Sequence, residues 1–270
     1  MYVKNWMAMV CAGTMLAGAA PVRSALAAQP PAPVAAVHTA ALPPAGAVAA
    51  FKAGHYADAA ELFERALESR GDDAVLYHWL SRCDLELGHD EQAVDHARQA
   101  VELDPNRSEY HRWLGRAYGA LADRTRSFFT ARKVKGEFEK AIELEPGNVA
   151  ARRDAMEYYL EAPWIVGGDH DKARDEAKAI AALDPLEGAL AHAACAEKDG
   201  HTAAAAAAYE RALAMKPAEP DPYFEAAEFY ARHKDAPKLR AVVAQAAAVA
   251  PDDPRLEHFR NVAEALERVE

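Results

Sequence analysis

A repeat runs through this chain, and three of its units share a Gly-His pair. The pairs at Gly54 and Gly88 lie 34 positions apart, and a third begins at Gly200. An alanine stands five positions after each of these glycines and another seven positions further on, which gives Ala59, Ala66, Ala93, Ala100, Ala205 and Ala212. A fixed period of this length is typical of arrays in which one supersecondary unit is stacked on the next.

The same frame continues through the rest of the chain. Prolines recur where each unit should end, and proline cannot continue a helix because it lacks an N–H; they are Pro105, Pro146, Pro185, Pro217 and Pro251. The front of a unit has an apolar residue, then a small residue, then an aromatic residue, as at Leu114, Gly115 and Tyr118. Each unit therefore reads as two short helices.

This pattern resembles the tetratricopeptide repeat family, most closely over Tyr110–Tyr118, and the resemblance covers residues 45–253 in roughly six units. It implies an all-α fold, a right-handed α-solenoid of tetratricopeptide-type helical hairpins with a concave groove. An Ala-rich helical bundle without repeats is the alternative. Residues 254–270 are predicted to form a C-terminal capping helix, because four apolar residues fall on one face: Leu256, Phe259, Val262 and Leu266.

The third and fourth units are longer than the others. The third, Ser108–Asn148, has seven extra residues, and the fourth, from Val149, has about five. Extra length must leave the stack as a loop or a lengthened helix. The first insertion carries Phe128 and Phe129 in a basic run, and the second carries Trp164, so we predict these as secondary contacts with a partner. The alternative is that the phenylalanines pack on the array.

The first residues have the layout of a secretory signal peptide. Lys4 precedes an uncharged apolar run at residues 6–20, and Ala25 and Ala27 stand where a signal peptidase reads. We predict a signal peptide at residues 1–27, a disordered Pro/Ala-rich tether at residues 28–44, and export to a bacterial periplasm. A retained membrane anchor is the alternative. No later stretch reads as a membrane helix, so no integral membrane span is expected after cleavage.

Composition and the absence of known motifs argue against several classes of function. The chain has 42 acidic and 31 basic residues and a net charge of −11, which argues against nucleic-acid binding because that requires a positive face. The sequence contains no Gly-x-Ser-x-Gly, His-Glu-x-x-His or Cys-x-x-Cys motif. The recurring histidines would be too far apart to share a metal ion. We therefore expect no catalysis, no cofactor and no metal.

The two cysteines of the array fall in units that are not neighbours. Cys83 lies in the second unit and Cys195 in the fifth. A solenoid unit touches only its neighbours, so the sequence predicts two separate, mostly buried thiols.

Projection of the first helix of each unit predicts which side chains face the groove. They are His78, Trp79, Arg82, Arg112, Trp113, Arg116 and Arg153. Arginine binds carboxylates in a forked geometry and tryptophan supplies rigid contact area, so this set predicts a site for an acidic segment of a partner. The alternative is that the arginines pair with Glu86, Glu109 and Glu157. The far end of the groove is expected to be acidic, through Glu187, Asp221, Glu225 and Glu228.

These observations predict a protein-interaction scaffold or adaptor of the cell envelope that holds a partner peptide or helix in its groove. The alternative function is a structural subunit of a larger envelope complex, for secretion, polysaccharide export or outer-membrane assembly. Such a subunit would use its insertions and its convex face. The sequence leaves the oligomeric state and the identity of the partner open.

Overall fold

The computed structural model describes residues 42–268, and in this range the chain forms thirteen α-helices and one short 3-10 turn, with no strand. The predicted signal peptide and nearly all of the predicted tether lie outside the described residues. The helices are α1 (Ala45–Lys52), α2 (Tyr56–Arg70), α3 (Ala74–Leu87), α4 (Asp90–Leu103), α5 (Ser108–Thr125), α6 (Phe128–Leu144), α7 (Val149–Glu161), α8 (His170–Leu183), α9 (Pro185–Lys198), α10 (Thr202–Ala214), α11 (Asp221–Arg232), α12 (Ala236–Val249) and α13 (Arg255–Glu267).

Consecutive helices pair into six hairpins, from α1 with α2 to α11 with α12. Each hairpin packs on the next, and first helices of neighbouring units also contact each other, as α3 does with α5 and α5 with α7. The last helix, α13, packs on α11 and α12 and buries Leu256, Phe259 and Ala263 there. The prediction of an all-α solenoid of hairpins that ends in a further helix is confirmed.

The recurring alanines lie where the second helix of each unit presses on its neighbours. Ala59, Ala93 and Ala205 are all completely buried. The small side chain allows the helices to approach closely enough for polar contacts between them. The Ser81 hydroxyl of α3 donates a 2.8 Å hydrogen bond to the carbonyl of Ala93 in α4, and Ser108 of α5 donates an equal bond to Ala141 in α6.

The Gly-His pair forms the turn between the two helices of a unit. Gly54, Gly88 and Gly200 have φ of 81°, 75° and 77°, a left-handed conformation that glycine adopts without strain. The following residue then donates its N–H to a carbonyl of the first helix, as His89 does to Asp84 at 2.8 Å. Hairpins three and six make the same turn with an arginine or a lysine in place of glycine, at Arg126 and Lys234.

The two insertions are accommodated in different ways. In the third unit the extra residues lengthen both helices, to 18 residues in α5 and 17 in α6. In the fourth unit the extra residues form the 3-10 turn Trp164–Val166 between α7 and α8. Gly168 is required here, because a Cβ at this position would lie 1.7 Å from the carbonyl oxygen of Ala162.

Cys83 and Cys195 are buried and free, which confirms the prediction of two separate thiols. Burial raises the pKa of Cys83 to about 12 and that of Cys195 to about 11. None of the helices in residues 42–268 combines the length and apolar character needed to cross a bilayer.

Two helical glycines provide a matched test of the close packing. A Cβ at Gly188 in α9 would lie 2.2 Å from the Cα of Ala181 in α8, whereas a Cβ at Gly136 in α6 would meet nothing within 4 Å. We expect Gly188→Ala to lower the free energy of unfolding by about 2 kcal/mol, because backbone must move. Gly136→Ala should raise it by ~1 kcal/mol, because alanine favours the helix. Urea unfolding measures both, and equal effects of the two substitutions would contradict the packing.

Candidate functional site

Three aromatic side chains from three consecutive first helices meet on one face of the array. We call the surface formed by the first helices the first-helix face, and Phe51 of α1, Trp79 of α3 and Trp113 of α5 the aromatic cluster. The rings of Phe51 and Trp79 meet edge to face with centroids 5.3 Å apart. Trp79 and Trp113 stand at equivalent repeat positions, 34 residues apart, so the stacking of neighbouring units brings them together, and Phe51 joins them from a different repeat position.

Arg82 lies in the middle of the aromatic cluster. Its guanidinium carbon is 4.1 Å from the ring centroid of Trp79, 4.7 Å from that of Trp113 and 4.8 Å from that of Phe51. A cation over an aromatic face at this distance is attracted by the ring quadrupole. Within residues 42–268 no carboxylate forms an ion pair with Arg82, and its buried Nε has no hydrogen-bond partner. Burial lowers the pKa of Arg82 from its ordinary value.

His78, one position before Trp79, shares this environment. It is 8% exposed, its ring centroid lies 5.9 Å from that of Trp113, and its buried Nδ1 has no partner in the described part of the chain. Burial lowers the pKa of His78 to about 3, with further contributions from the positive charges of Arg82, Arg112 and Arg107. The imidazole is therefore neutral at pH 7.

Arg112 and Arg116 differ from Arg82 because carboxylates of the chain itself approach them. Arg112 donates from Nε to Asp154 of α7 at 2.7 Å and from a terminal nitrogen to Glu109 at 3.1 Å. Arg116 lies 3.9 Å from Asp154, and its guanidinium stacks over Trp113 at 4.5 Å. Burial raises the pKa of Asp154, although both arginines act in the opposite direction.

Arg153 of α7 binds acids from three successive first helices. Its partners are Glu157 on its own helix at 3.3 Å, Glu187 of α9 at 2.6 Å and Glu225 of α11. Burial alone would lower the pKa of Arg153, but the three carboxylates outweigh it and raise the pKa. Glu187 and Glu225, which were expected to make the far end of the groove acidic, are thus both ion-paired with Arg153 within the chain.

Arg112, Arg116 and Arg153 pair with acids of the chain, as the alternative interpretation of the sequence expected. Arg82 differs, because its neighbours are aromatic rings. Glu109 and Glu157 are among the acids considered from the sequence. Asp154 and Phe51 were missed. Asp154 could have been found from the repeat, because it stands 41 positions after Trp113, which is the 34-residue period plus the seven-residue insertion of the third unit.

The insertions place their aromatic residues in two environments. Phe128 is partly buried and packs beside Ala122, Ala131 and Val166, as the alternative interpretation expected. Phe129 is 84% exposed and Trp164 is 85% exposed. A shallow pocket of about 380 Å³ lies between α6 and the turn that carries Trp164.

Comparison with known proteins agrees with the repeat. A tetratricopeptide repeat family model matches residues 50–117. Heat shock protein STI1 of Saccharomyces cerevisiae is 33% identical over 105 residues, which cover 38% of this chain. The match spans only 17% of the length of that relative.

Solved structures show the same fold over more of the chain. The structure of TTC0263, a thermophilic TPR protein of Thermus thermophilus, matches with a TM-score of 0.58 and 26% identity over 68% of this chain and 94% of its own. A tetratricopeptide repeat protein of Parabacteroides merdae ATCC 43184 matches with a TM-score of 0.58 and 12% identity, over 83% of this chain and 84% of its own, and shows the fold alone.

The neutral state of His78 predicts a pH dependence of stability. The pKa of His78 in the folded chain, about 3, is below the ordinary value of 6.5. The contribution of the neutral imidazole to the free energy of unfolding is therefore fully present above pH 6.5 and is lost as the pH falls toward 3. When the pH is lowered from 7 to 4.5, the free energy of unfolding of His78→Leu should fall by ~2 kcal/mol less than that of the wild type, because leucine cannot be protonated. Urea unfolding at the two pH values measures this, and an unchanged acid sensitivity would contradict the burial of His78.

Proposed function

Since this chain belongs to the tetratricopeptide repeat proteins, we propose that it is a non-catalytic scaffold of the cell envelope that holds a segment of a partner protein. The first-helix face of the first three units binds the segment. Trp79, Arg82 and Phe51 are the partly exposed side chains there, and the predicted residues His78 and Trp113 lie buried behind them.

The observation that carries this proposal is the state of Arg82. A half-buried guanidinium without a carboxylate leaves hydrogen-bonding capacity unused, and its buried Nε is unsatisfied. Because Nε itself is enclosed, a carboxylate of a partner would bind the terminal nitrogens of this guanidinium in a charge-assisted bond, while Trp79 and Phe51 contact an adjoining apolar side chain. The preferred ligand is therefore a peptide segment that carries Asp or Glu beside a large apolar residue.

The state of the two buried thiols supports a role without catalysis. The nucleophilic form of cysteine is the thiolate, and the pKa values of Cys83 and Cys195, about 12 and about 11, keep both protonated at neutral pH. His78 is buried and cationic side chains surround it, which leaves it a poor general base.

The envelope context is supported by the sequence of residues 1–27 alone. A positive charge, a short apolar run and two small residues before the predicted cleavage point are the features that direct a chain to export. Periplasmic localisation is part of this proposal.

A second function, as a structural subunit of a larger envelope complex, is favoured by a different observation. Phe129 and Trp164 are 84% and 85% exposed, and both lie in the insertions. Exposed apolar side chains that cluster on a protein surface mark interaction sites. This function would use the insertions and not the first-helix face.

Crosslinking in intact cells that express the full chain, followed by capture, tests the first function. The test variant is Arg82→Gln, because reversing Arg112 or Arg116 would also leave Asp154 buried without its partners. Arg260→Gln on α13, which is exposed and remote from the face, is the matched control. We expect a partner that the wild type and the control capture to be recovered roughly tenfold less with Arg82→Gln.

Equal recovery with Arg82→Gln and a folded far-ultraviolet circular dichroism spectrum would sink the first-helix site. Loss of the same partner with Trp164→Ala alone would instead assign the contact to the insertions and support the second function.

A further inference from the structure

The turn that carries Trp164 is firmly held to the body of the array. Val166 is 4% exposed and packs with Ala122 and Ala131. The Tyr158 hydroxyl of α7 lies 2.7 Å from the carbonyl oxygen of Val166 and 2.8 Å from that of Ala131 in α6, so it bridges the turn and the neighbouring hairpin. The turn therefore has a defined position relative to α6.

With Val166 turned inward, the two residues before it are directed outward. Trp164 is 85% exposed and Ile165 is 57% exposed. Backbone bonds within the turn restrain it, from Val166 and Gly168 to the carbonyl of Pro163 at 3.0 and 3.1 Å. Large apolar side chains on a restrained backbone lose little conformational entropy when they bind.

The neighbouring helix α6 adds a basic and aromatic stripe to this surface. Phe129, Arg132 and Lys133 are exposed, and because the two basic residues lie three and four positions after Phe129, each of them shares a face of the helix with it. Arg132 and Lys135 line the shallow pocket together with Trp164 and Ile165, which makes the stripe and the turn one continuous surface. We call this surface the insertion edge: Arg126, Phe129, Arg132, Lys135, Trp164 and Ile165.

The charge of the insertion edge is opposite to that of the whole protein. Residues 124–135 contain five basic residues and no acid, in a chain of net charge −11. Arg126 and Arg132 form no ion pair within the described range. Glu139 also lines the pocket, but Lys135 at 3.7 Å, Lys172 at 3.4 Å and the Tyr159 hydroxyl at 3.0 Å engage its carboxylate. The free charges at this edge are therefore cationic.

We propose that the insertion edge docks on the surface of an anionic lipid bilayer. Trp164, Ile165 and Phe129 enter the boundary between headgroups and acyl chains, where the amphipathic indole ring is favoured. Arg126 and Arg132 contact the lipid phosphates, and cations beside exposed apolar side chains are the features of peripheral membrane attachment. This docking is independent of the partner site around Arg82.

The exposure of the aromatic residues favours a lipid surface over a protein helix. Phe129 and Trp164, at 84% and 85% exposed, project from the surface, and the pocket beside Trp164 is shallow and lined partly by Arg132, Lys135 and Glu139, so it is not an apolar groove that would receive a helix. A bilayer needs no complementary shape, only apolar side chains that project and cations that flank them. An acidic helix of a protein partner is the competing occupant.

Flotation of the full chain with lipid vesicles tests the proposal. One set contains phosphatidylcholine alone and the other contains a third phosphatidylglycerol. We expect flotation with the anionic set that falls as salt is added, because added ions screen the attraction. Arg132→Glu should weaken binding roughly tenfold or more, because it changes the local charge by two. Trp164→Ala should weaken it by roughly tenfold through lost apolar contact.

Two exposed positions away from the edge provide matched controls. Arg260→Glu makes the same charge change on α13, and Leu183→Ala removes an apolar side chain that is 48% exposed. Both should bind as the wild type does. Any lipid contact made by residues 1–41 is common to all variants, so only the differences between variants report on the edge.

Tryptophan fluorescence gives a second readout at the proposed contact. Trp113 is 7% exposed and Trp79 is half-buried in the aromatic cluster, so Trp164 is the exposed indole of the array. Brominated lipids should quench the emission that Trp164→Phe removes. Absence of flotation, equal flotation of the edge variants and the controls, or emission of Trp164 that brominated lipids leave unchanged would each overturn the proposal and leave the edge to a protein helix.

Discussion

Small side chains let successive helices of the array pack in close contact, and this packing sets the spacing of its units. Ala59, Ala93 and Ala205 are completely buried, and Gly188 lies against the backbone of Ala181. Larger residues at these points would separate the helices. Since a hairpin cannot bury its apolar face alone, each unit needs its neighbours, and the spacing between them is set by these small residues. That regular spacing brings equivalent positions of successive units within contact distance.

The candidate site is a product of this stacking. Trp79 and Trp113 are equivalent residues of neighbouring units, 34 positions apart, and Asp154 occupies the same position in the next unit. The column formed by these equivalent positions thus changes from aromatic residues to an acid between units three and four. Arg112 of unit three donates a hydrogen bond to that acid, Asp154. The arginines of units three and four hold consecutive first helices together, whereas Arg82, at the aromatic end of the column, forms no ion pair with any acid of residues 42–268. The insertion edge lies outside this column, because the extra residues of units three and four leave the repeat.

The sequence predicted the hairpins and the final helix, because these follow from the periodicity of the repeat and from local backbone preferences. It also placed several of the site residues on the first helices of their units. Whether Arg153 would be free or paired depended on Glu187 and Glu225, which lie one and two units away and whose distances no local rule supplies. The left-handed turns at Arg126 and Lys234 were equally hidden, since they lack the glycine that marks the other turns.

If Arg153 holds the helices together and Arg82 serves a partner, the free energies of unfolding of Arg153→Ala and Arg82→Ala must differ. Removing Arg153 leaves three carboxylates facing one another, so we expect a loss of about 2 kcal/mol. Removing Arg82 loses its aromatic contacts but also removes a buried unsatisfied N–H, so the cost should stay below about 1 kcal/mol. A cost for Arg82→Ala that equals or exceeds that of Arg153→Ala would make Arg82 part of the structural framework and would rule out its role as a residue free to bind a partner.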